Sequence, residues 1–447
     1  MKKLLSVLLL SGVSVASAYA ASNAPKNIIM IVGDGMGPAY TSAYRYYHDD
    51  PNTKQIEDTV FDRTLVGMSS TYPARVSGYV TDSAAGATAL SSGYKTYNGA
   101  IAITPDKKPV ETVLERAKKN GKSIGVVVTS QVNHATPAGY LAHNESRRNY
   151  NEIADSYVDD GWKTDILLGG GWKYFIREDR NLVKELQAKG VNYVDNYDQL
   201  ANLPSDKPVL GLFADKGLPW ALDDSNKYRL SQMTKAATKH LVAANNPDGF
   251  FMLIEGSQID WGGHGNDIID AMGEMDDLAK TLEYLEGFVK QHPDTLVVVT
   301  ADHSTGGLTV AANGKYEWDP TVLRTMQHSA NAITQQLVEH KITAKAANKV
   351  FNFTLSDDEL AQLIASKKAP KKDKTHNMYA DDHASKIQKS VLKMVKHIID
   401  VRTNTGWTSS GHTAVDVPVF AFGQDKELFY GFQDDTDIAK KIFTLLK

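Results

Sequence analysis

The stretch Asn27-Ile-Ile-Met-Ile-Val-Gly-Asp-Gly-Met-Gly37 joins an uninterrupted apolar run to a glycine-rich turn that carries one carboxylate, Asp34. An apolar run of this length is typical of a strand buried on both faces of a parallel sheet. The same pattern recurs at Ser123 to Thr129, Gly249 to Ile254 and Thr295 to Thr300. We therefore expect a parallel sheet whose functional side chains gather at its carboxyl edge.

Helical stretches separate these strands, at Lys108 to Asn120, Tyr228 to Ala244 and Asp267 to Gln291. Strands that alternate with helices predict an α/β fold with a doubly wound, mostly parallel central sheet flanked by helices. A further strand is expected at Val415 to Phe422, where Pro418 favours an edge position.

We expect one domain over residues 21–447, interrupted by two insertions. The first, near residues 160–225, is rich in Gly, Asp and Lys and is predicted to contain loops. The second, near residues 304–410, is predicted to contain helices at Thr321 to Glu339, Asp357 to Ser366 and His383 to Asp400.

The first 20 residues have the features of a secretory signal peptide. Lys2 and Lys3 precede the apolar run Leu4 to Leu10, and the small residues Ala18-Tyr-Ala20 predict cleavage before Ala21. A membrane anchor is the alternative, but the apolar run is too short to cross a bilayer. A periplasmic or secreted protein without a membrane anchor is therefore expected.

The 447-residue chain has a formal net charge of −4 and contains no cysteine. This weakly acidic balance gives no reason to expect nucleic acid binding. An exported protein without disulfides needs another source of stability for its fold, and we expect bound metal to provide it.

Aspartate and histidine residues follow the predicted strands at spacings that suit a metal site. Asp260 and His264 are four residues apart, so both can face one point on a helical turn. Asp302-His303 follows another strand, and His412 lies among small residues before the last one. Mixed His and Asp ligands are typical of an open catalytic zinc site, although any single Asp-His pair is also found in surface hydrogen bonds.

Asp34 and Glu255 add two carboxylates at the same edge of the sheet. The glycines of Gly33-Asp-Gly-Met-Gly37 do not have the spacing of a dinucleotide-binding loop, and Asp34 would repel a pyrophosphate. Asp34 is therefore predicted to bind a cation, with an ordinary turn aspartate as the alternative.

Ser83 is a candidate nucleophile at the start of a helix of small residues that includes Ala84 to Ala89. A serine in this position commonly caps the helix instead. Arg147 has the forked guanidinium that suits a dianionic tetrahedral oxyanion, although a surface ion pair is the simpler role.

The sum of their charges indicates that the carboxylates, Ser83 and Arg147 belong to one site. The four carboxylates and an ionised Ser83 would repel one another and force protonation unless cations were bound. Three divalent cations and Arg147 would leave the site positive, which complements a phosphate monoester dianion of about −2.

The motifs resemble those of the alkaline phosphatase family, in that family's order. They are Gly33 to Gly37, Thr81-Asp-Ser-Ala-Ala-Gly86, His134-Ala-Thr-Pro-Ala138 through Arg147, Glu255-Gly-Ser-Gln-Ile-Asp260 through His264, Thr300-Ala-Asp-His303 and Ser410-Gly-His-Thr413. The resemblance implies hydrolysis of small-molecule phosphate monoesters through a phosphoserine intermediate, with two zinc ions and one magnesium ion. It also allows a homodimer.

By the same resemblance, Ser83 is the nucleophile and Arg147 holds the phosphate. The implied metal ligands are Asp260, His264 and His412 for one zinc, Asp34, Asp302 and His303 for the other, and Asp34, Thr136 and Glu255 for magnesium. His134 and Trp261 occupy positions at which family members differ, so they are assigned to the surroundings of the substrate and the third metal.

Two other interpretations stay open. The first is another member of the same superfamily, acting on phosphodiesters or sulfate esters, although a sulfatase would need a cysteine to convert into formylglycine. The second is a periplasmic metal-binding protein without catalysis, which leaves Ser83 and Arg147 unexplained.

Overall fold

The computed structural model describes residues 24–368 and 386–446. The predicted signal peptide lies outside these residues. Within them, no helix combines the length and the apolar character that crossing a membrane requires.

The strands are β1 (Asn27–Gly33), β2 (Leu65–Ser70), β3 (Ser123–Gln131), β4 (Ile166–Gly170), β5 (Asn192–Val194), β6 (Val209–Leu212), β7 (Phe250–Gly256), β8 (Thr295–Thr300), β9 (Ser304–Thr305), β10 (Leu308–Val310), β11 (Thr405–Trp407), β12 (His412–Thr413), β13 (Val417–Gly423) and β14 (Gly431–Asp434).

The α-helices are α1 (Pro38–His48), α2 (Val60–Thr64), α3 (Ser83–Ser92), α4 (Val113–Lys119), α5 (Ala135–Leu141), α6 (Tyr150–Asp159), α7 (Trp172–Phe175), α8 (Leu182–Ala188), α9 (Arg229–Ala243), α10 (Gln258–Gly265), α11 (Ile268–Gln291), α12 (Thr321–Thr325), α13 (Ala330–Glu339), α14 (Ala344–Phe351), α15 (Asp357–Ser366), α16 (Lys386–Thr403) and α17 (Asp435–Leu445).

A ten-stranded sheet runs through the molecule in the order β14-β2-β13-β8-β1-β7-β3-β4-β6-β5. Neighbouring strands are parallel except at β13, which is antiparallel to both β8 and β2. The predicted mostly parallel α/β sheet is confirmed. Its carboxyl edge collects the residues that follow β1, β3, β7 and β8.

The central strand β1 is buried along its whole length because it contributes to a core on each face of the sheet. Ile29 and Ile31 belong to one core, while Ile28, Met30 and Val32 belong to the other. This double burial explains why the run is uninterrupted by polar residues.

Helix α3 is buried at every residue. Small size has a direct geometric reason at Gly86, where an added Cβ would lie 2.9 Å from the Cβ of Asp302. The helix that begins at Ser83 can therefore lie close against the end of β8.

Residues 160–225 are more regular than the sequence predicted. Three short segments of this region, β4, β6 and β5, pair in parallel and extend one side of the main sheet. The sequence does not reveal these strands, because Ile166–Gly170 and Val209–Leu212 are fully buried but too short to show a clear period.

The helical character of residues 304–410 is confirmed, with two changes of boundary. The predicted helix from Thr321 to Glu339 is divided into α12 and α13, because the Ser329 side chain caps a new helix by accepting a hydrogen bond from the Ala332 N–H. The last helix, α16, ends three residues later than predicted, at Thr403, and residues 383–385 lie outside the described residues.

The predicted edge position of Pro418 was wrong. Strand β13 lies between β2 and β8, but its pairing with β8 begins only at Phe420. Pro418 therefore lies beyond the end of β8, where its missing N–H interrupts no ladder on that side.

A buried arginine ties α9 to α10 and α11. Arg229 is completely buried, and its guanidinium donates to Asp277 Oδ2 at 2.9 Å, to Glu274 Oε1 at 2.6 Å and to Gln258 Oε1 at 2.7 Å. Gln258 is the first residue of α10, so this network supports the helix that carries Asp260 and His264.

Arg229→Met is expected to destabilise the protein by about 3–5 kcal/mol, because it leaves two buried carboxylates without their cation. Denaturant unfolding of the metal-saturated protein measures the loss. The exposed Lys239→Met on the same helix is the matched control. Adding Glu274→Gln and Asp277→Asn to Arg229→Met should recover part of the stability; no recovery would show that the lost charge pairing is not the cause.

Candidate active site

The carboxyl edge of the sheet brings together all twelve residues that the sequence singled out. Asp34 follows β1, Glu255 is the penultimate residue of β7, and Asp302 lies two residues beyond the end of β8. All three are completely buried. The remaining nine are supplied by helices α3, α5 and α10, by strand β12, and by loops that include the one after β8: Ser83, His134, Thr136, Arg147, Asp260, Trp261, His264, His303 and His412.

Ser83 is not the cap of the helix that it begins. The cap of α3 is Asp82, whose side chain accepts from the Ala85 N–H at 3.0 Å. The Ser83 hydroxyl instead lies 3.1 Å from His303 Nε2, and the residue is 0% exposed. Its oxygen therefore points into the cluster of predicted ligands.

Arg147 is positioned by the same cap. Its Nη1 donates to Asp82 Oδ2 at 3.1 Å, and its Nη2 lies 3.4 Å from His134 Nε2. The Arg147 side chain is 12% exposed. Asp82 thus caps the helix that begins at Ser83 and also holds the guanidinium of Arg147. The positions of Ser83 and Arg147 relative to each other are therefore fixed.

A first metal-type cluster contains Asp260, His264 and His412, whose ligand atoms all lie within 4.8 Å of one another. The two histidine Nε2 atoms are 3.0 Å apart. Each Nδ1 faces a backbone carbonyl, Ser410 O for His264 and Thr81 O for His412. Because Nδ1 is the donor on both rings, both Nε2 lone pairs point at the same space, an arrangement that a cation would satisfy.

A second cluster contains Asp34, Asp302 and His303 within the same limit. His303 Nε2 lies 3.4 Å from Asp34 Oδ1 and 3.2 Å from Asp302 Oδ2. The Gly35 N–H donates to Asp302 Oδ1 at 3.1 Å. Gly35 has φ +73°, and an added Cβ would lie 2.8 Å from Asp260 Cα, so only glycine fits between the two clusters.

A third cluster contains Asp34, His134 and Glu255. Glu255 Oε2 accepts from Ser257 Oγ at 2.6 Å, whereas Oε1 has no hydrogen-bond partner among the described residues. Thr136 Oγ1 is also buried without a partner there. His134, which the resemblance assigns to the surroundings of the substrate and the third metal, has a ring nitrogen within 4.8 Å of the carboxylate oxygens of this cluster.

The ring of Trp261 meets the ring of His134 edge to face, with centroids 5.9 Å apart. On its other side His134 stacks with Tyr150 at 6.4 Å. Burial, aided by Arg147, lowers the pKa of His134 to about 3. His134 is therefore a neutral imidazole held between two aromatic rings.

The four buried carboxylates differ in the direction in which their surroundings shift the pKa. Burial raises the pKa of Asp34 well above its usual value, and the neighbouring Asp302 adds to the effect. Burial also raises the pKa of Glu255 to about 7. For Asp260 the neighbouring histidines, led by His264, outweigh burial and hold the pKa at about 2. A bound cation would favour the ionised form of every one of these groups.

Thr305 is a site residue that the sequence did not reveal. Its hydroxyl donates to Asp260 Oδ1 at 2.5 Å and lies 3.2 Å from His303 Nδ1. Since the hydroxyl has one proton, His303 Nδ1 must donate to it, which leaves Nε2 of that ring facing Ser83. Thr305 therefore connects the first two clusters, and only its closeness to His303 in the chain could have indicated this.

Comparison with known proteins gives a consistent result. Residues 25–447 match the family model described as Alkaline phosphatase. Alkaline phosphatase 3 of Bacillus subtilis (strain 168) is 42% identical to this chain, over 100% of this chain and 97% of that protein.

Comparison with solved structures also identifies alkaline phosphatases as similar proteins. The crystal structure of a cold-active alkaline phosphatase from the psychrophile Shewanella sp. is 48% identical, with a TM-score of 0.86 over 94% of this chain and 100% of that chain. The alkaline phosphatase from the Antarctic bacterium TAB5 is 27% identical, with a TM-score of 0.68 over 95% and 98%. Because the family model extends from residue 25 to the last residue and these relatives match at nearly full length, the chain belongs to the alkaline phosphatase family and is a phosphomonoester hydrolase.

Proposed function

We propose that this protein hydrolyses phosphate monoesters through a covalent phosphoserine formed on Ser83. The observation that carries the proposal is the position of the Ser83 hydroxyl, 3.1 Å from His303 Nε2, at the edge of the second cluster and on the same helix cap that fixes Arg147. An alkaline pH optimum, small-molecule monoesters as substrates, export to the periplasm or medium and a possible homodimer belong to the same proposal.

The donor sets fit divalent cations. Among the described residues, buried carboxylate oxygens without a hydrogen-bond partner occur in all three clusters, including Asp34 Oδ1 and Oδ2, Glu255 Oε1, Asp260 Oδ2 and Asp302 Oδ2. Uncompensated buried charges of this kind are costly, so their concentration here supports metal binding.

We assign the ions by donor chemistry. The mixed nitrogen and oxygen donors of the first two clusters suit zinc, and the oxygen donors Asp34, Thr136 and Glu255 suit magnesium. His134 brings a nitrogen donor to the edge of the third site. Magnesium is bound in the M3 site of a TAB5 alkaline phosphatase variant in which a histidine is replaced by glutamate, which supports a role for such a histidine in setting ion preference here.

When bound, these cations would supply Lewis acidity, favouring ionised forms of the serine hydroxyl, the leaving alkoxide and the attacking water. The protein's own groups do the positioning. Arg147 donates two parallel hydrogen bonds to nonbridging phosphate oxygens, while Asp82 holds the guanidinium in place.

The reaction then consists of two displacements. Ser83 Oγ attacks phosphorus as the bond to the leaving oxygen breaks, which gives a phosphoserine and an alcohol. Water attacks the phosphoserine, breaks the bond to Oγ and releases inorganic phosphate. Two in-line displacements predict retention of configuration at phosphorus.

Ser83→Ala is expected to lower kcat by about 10³-fold or more, because the nucleophile of the first displacement is removed. Ser92→Ala, at the other end of the same helix, is the matched control and should keep its activity. Acid quenching of wild type with labelled substrate should trap phosphoserine, and the Ser83→Ala protein should trap none. Near wild-type turnover by Ser83→Ala would refute the assigned nucleophile.

Arg147→Lys is expected to weaken inhibition by inorganic phosphate by about tenfold, because an ammonium cannot bond Asp82 and two phosphate oxygens in one plane. The measurement is the inhibition constant together with KM. Arg148→Lys, at the exposed neighbouring position, should leave both unchanged. Equal effects of the two substitutions would argue against a phosphate contact at Arg147.

Removal of metal by a chelator is expected to abolish activity and to lower Tm, because the buried carboxylates then repel one another without compensation. Restoring zinc and magnesium should recover both. Activity on a chromogenic monoester and the melting curve are followed in parallel. An unchanged melting curve in excess chelator would contradict structural metal binding.

A further inference from the structure

His143 lies outside the three metal-type clusters, and both of its ring nitrogens face hydrogen-bond acceptors. Its Nδ1 lies 2.8 Å from the Ala102 carbonyl oxygen, and its Nε2 lies 3.0 Å from Glu115 Oε1. A carbonyl and an ionised carboxylate can only accept, so each ring nitrogen has to donate. A neutral imidazole has a single N–H and satisfies only one of these partners. The geometry therefore requires a doubly protonated ring, an imidazolium.

Glu115 is held in its ionised form by several donors. Its Oε2 accepts from the Thr112 N–H at 3.1 Å, which completes the capping box of α4, and its Oε1 also accepts from Lys163 Nζ at 2.9 Å. Burial raises the pKa of Glu115, but the bonds from His143 and Lys163 outweigh burial and hold the pKa at about 2. The carboxylate therefore remains an acceptor at every pH at which the protein is folded and active.

The charged groups that face the His143 ring are Glu115, from α4, and Lys163, from the loop before β4. Burial lowers the pKa of His143, but the hydrogen bonds to Glu115 and to the Ala102 carbonyl outweigh burial and raise the pKa above its ordinary value. The two bonds are thus complete at and below the ordinary pKa of histidine, and one is lost as the pH rises through the raised pKa. The remaining proton stays on Nε2, because a bond to an ionised acceptor is the stronger one. The bond to Ala102 is the one that is lost.

Ala102 has a strained backbone that its surroundings have to hold. Its φ is +45°, and the residue is 0% exposed. A left-handed conformation is unfavourable for alanine and persists only where neighbouring contacts impose it. The Ala102 N–H donates to Thr88 Oγ1 at 2.9 Å, and the carbonyl accepts from the Val110 N–H at 3.0 Å as well as from His143. Loss of the His143 bond removes one of these three restraints.

The backbone of Asn144 connects His143 to the same short segment, residues 99–102. Asn144 exchanges two backbone hydrogen bonds with Ile101, at 2.9 and 3.0 Å. Ile101 directly precedes Ala102. The His143 ring and the Asn144 backbone therefore hold adjacent residues of this segment.

Gly99, at the start of the segment, connects it to Arg147. The Gly99 carbonyl accepts from the Arg147 N–H at 2.7 Å, and the Gly99 N–H donates to Asp82 Oδ1 at 3.0 Å. The other oxygen of Asp82 accepts from Arg147 Nη1 at 3.1 Å. Gly99 thus bonds both the backbone of Arg147 and the carboxylate that holds its guanidinium, so a shift of residues 99–102 displaces both.

We propose that His143, as an imidazolium bonded to Ala102 and Glu115, is a positioning residue that holds Arg147 in place for phosphate. Loss of one His143 proton at alkaline pH loosens residues 99–102 and weakens the binding of phosphate, which favours release of the product. The inference rests on the proposed role of Arg147 as the phosphate contact.

His143→Gln tests the proposal, because the glutamine amide can replace Nε2 toward Glu115 and leaves the Ala102 carbonyl without that donor. The inhibition constant of inorganic phosphate is measured on the metal-saturated enzyme from about pH 6.5 to about pH 10. The ratio of variant to wild type should be about threefold to tenfold at the lower pH, because one positioning hydrogen bond is missing. It should fall to about one at the higher pH, where wild type has lost the same bond. His397→Gln, at an exposed position of α16, is the control and should match wild type throughout.

NMR of protein labelled at histidine follows the His143 ring directly, and the signal that is missing in His143→Gln assigns it. The ring should be doubly protonated at about pH 6.5 and should titrate over the pH range in which the ratio of inhibition constants falls. A ratio that does not change with pH would show a merely structural role. A neutral ring at the lower pH would contradict the imidazolium, and either result would overturn the proposal.

The double variant with Arg147→Lys separates this role from the phosphate contact itself. Adding His143→Gln to Arg147→Lys should weaken phosphate inhibition little further, because both changes act through the same guanidinium. If Arg147→Lys alone has no effect, the phosphate contact at Arg147 is wrong. If Arg147→Lys weakens inhibition and His143→Gln does not, only the positioning role of His143 is wrong.

Glu115→Gln replaces His143→Gln if that variant does not fold. It removes the carboxylate charge beside the ring, so the pKa of His143 should fall. The pH at which phosphate inhibition weakens should move to lower values with it. A titration of His143 that moves while the inhibition profile stays in place would refute the connection to Arg147.

Discussion

Mutual repulsion between buried carboxylates is the constraint on which the rest of the structure depends. Asp34, Glu255, Asp260 and Asp302 are each 0% exposed at one edge of the sheet. Four ionised carboxylates can be held this close together in a folded protein only if cations lie among them. The fold therefore has to hold these groups rigidly. Three of them lie at or just beyond the ends of fully buried strands, the fourth lies on α10, and glycine separates the first two clusters at Gly35.

A small antiparallel pair completes the first cluster. β12 pairs with β9, so His412 lies opposite Thr305 after the chain has passed through the helical insertion. Thr305 in turn bonds Asp260 and contacts His303. The residues that follow β8 thus fix the geometry of both proposed zinc sites, and the insertion is the route by which the last histidine returns to them.

Buried carboxylates also occur beyond α10, on helix α11, where their charges again need compensation by neighbouring groups. Arg229 compensates Glu274 and Asp277 within the core, whereas Asp270 has no such partner among the described residues. One helix, α11, therefore presents a neutralised pair at one turn and an uncompensated carboxylate at another.

The sequence by itself determined the sheet and most of the candidate site. Runs such as Asn27–Gly33 are apolar because both faces are buried, and the ends of the buried strands place Asp34, Glu255 and Asp302. The short strands β4, β5 and β6, the interior position of β13 and the part played by Thr305 were decided only by tertiary structure. Strands of three to five residues show too little periodicity to be recognised. Thr305 and Asp260, whose side chains form a hydrogen bond, are 45 residues apart in the chain. Their contact depends on how the chain folds back, which no local pattern encodes.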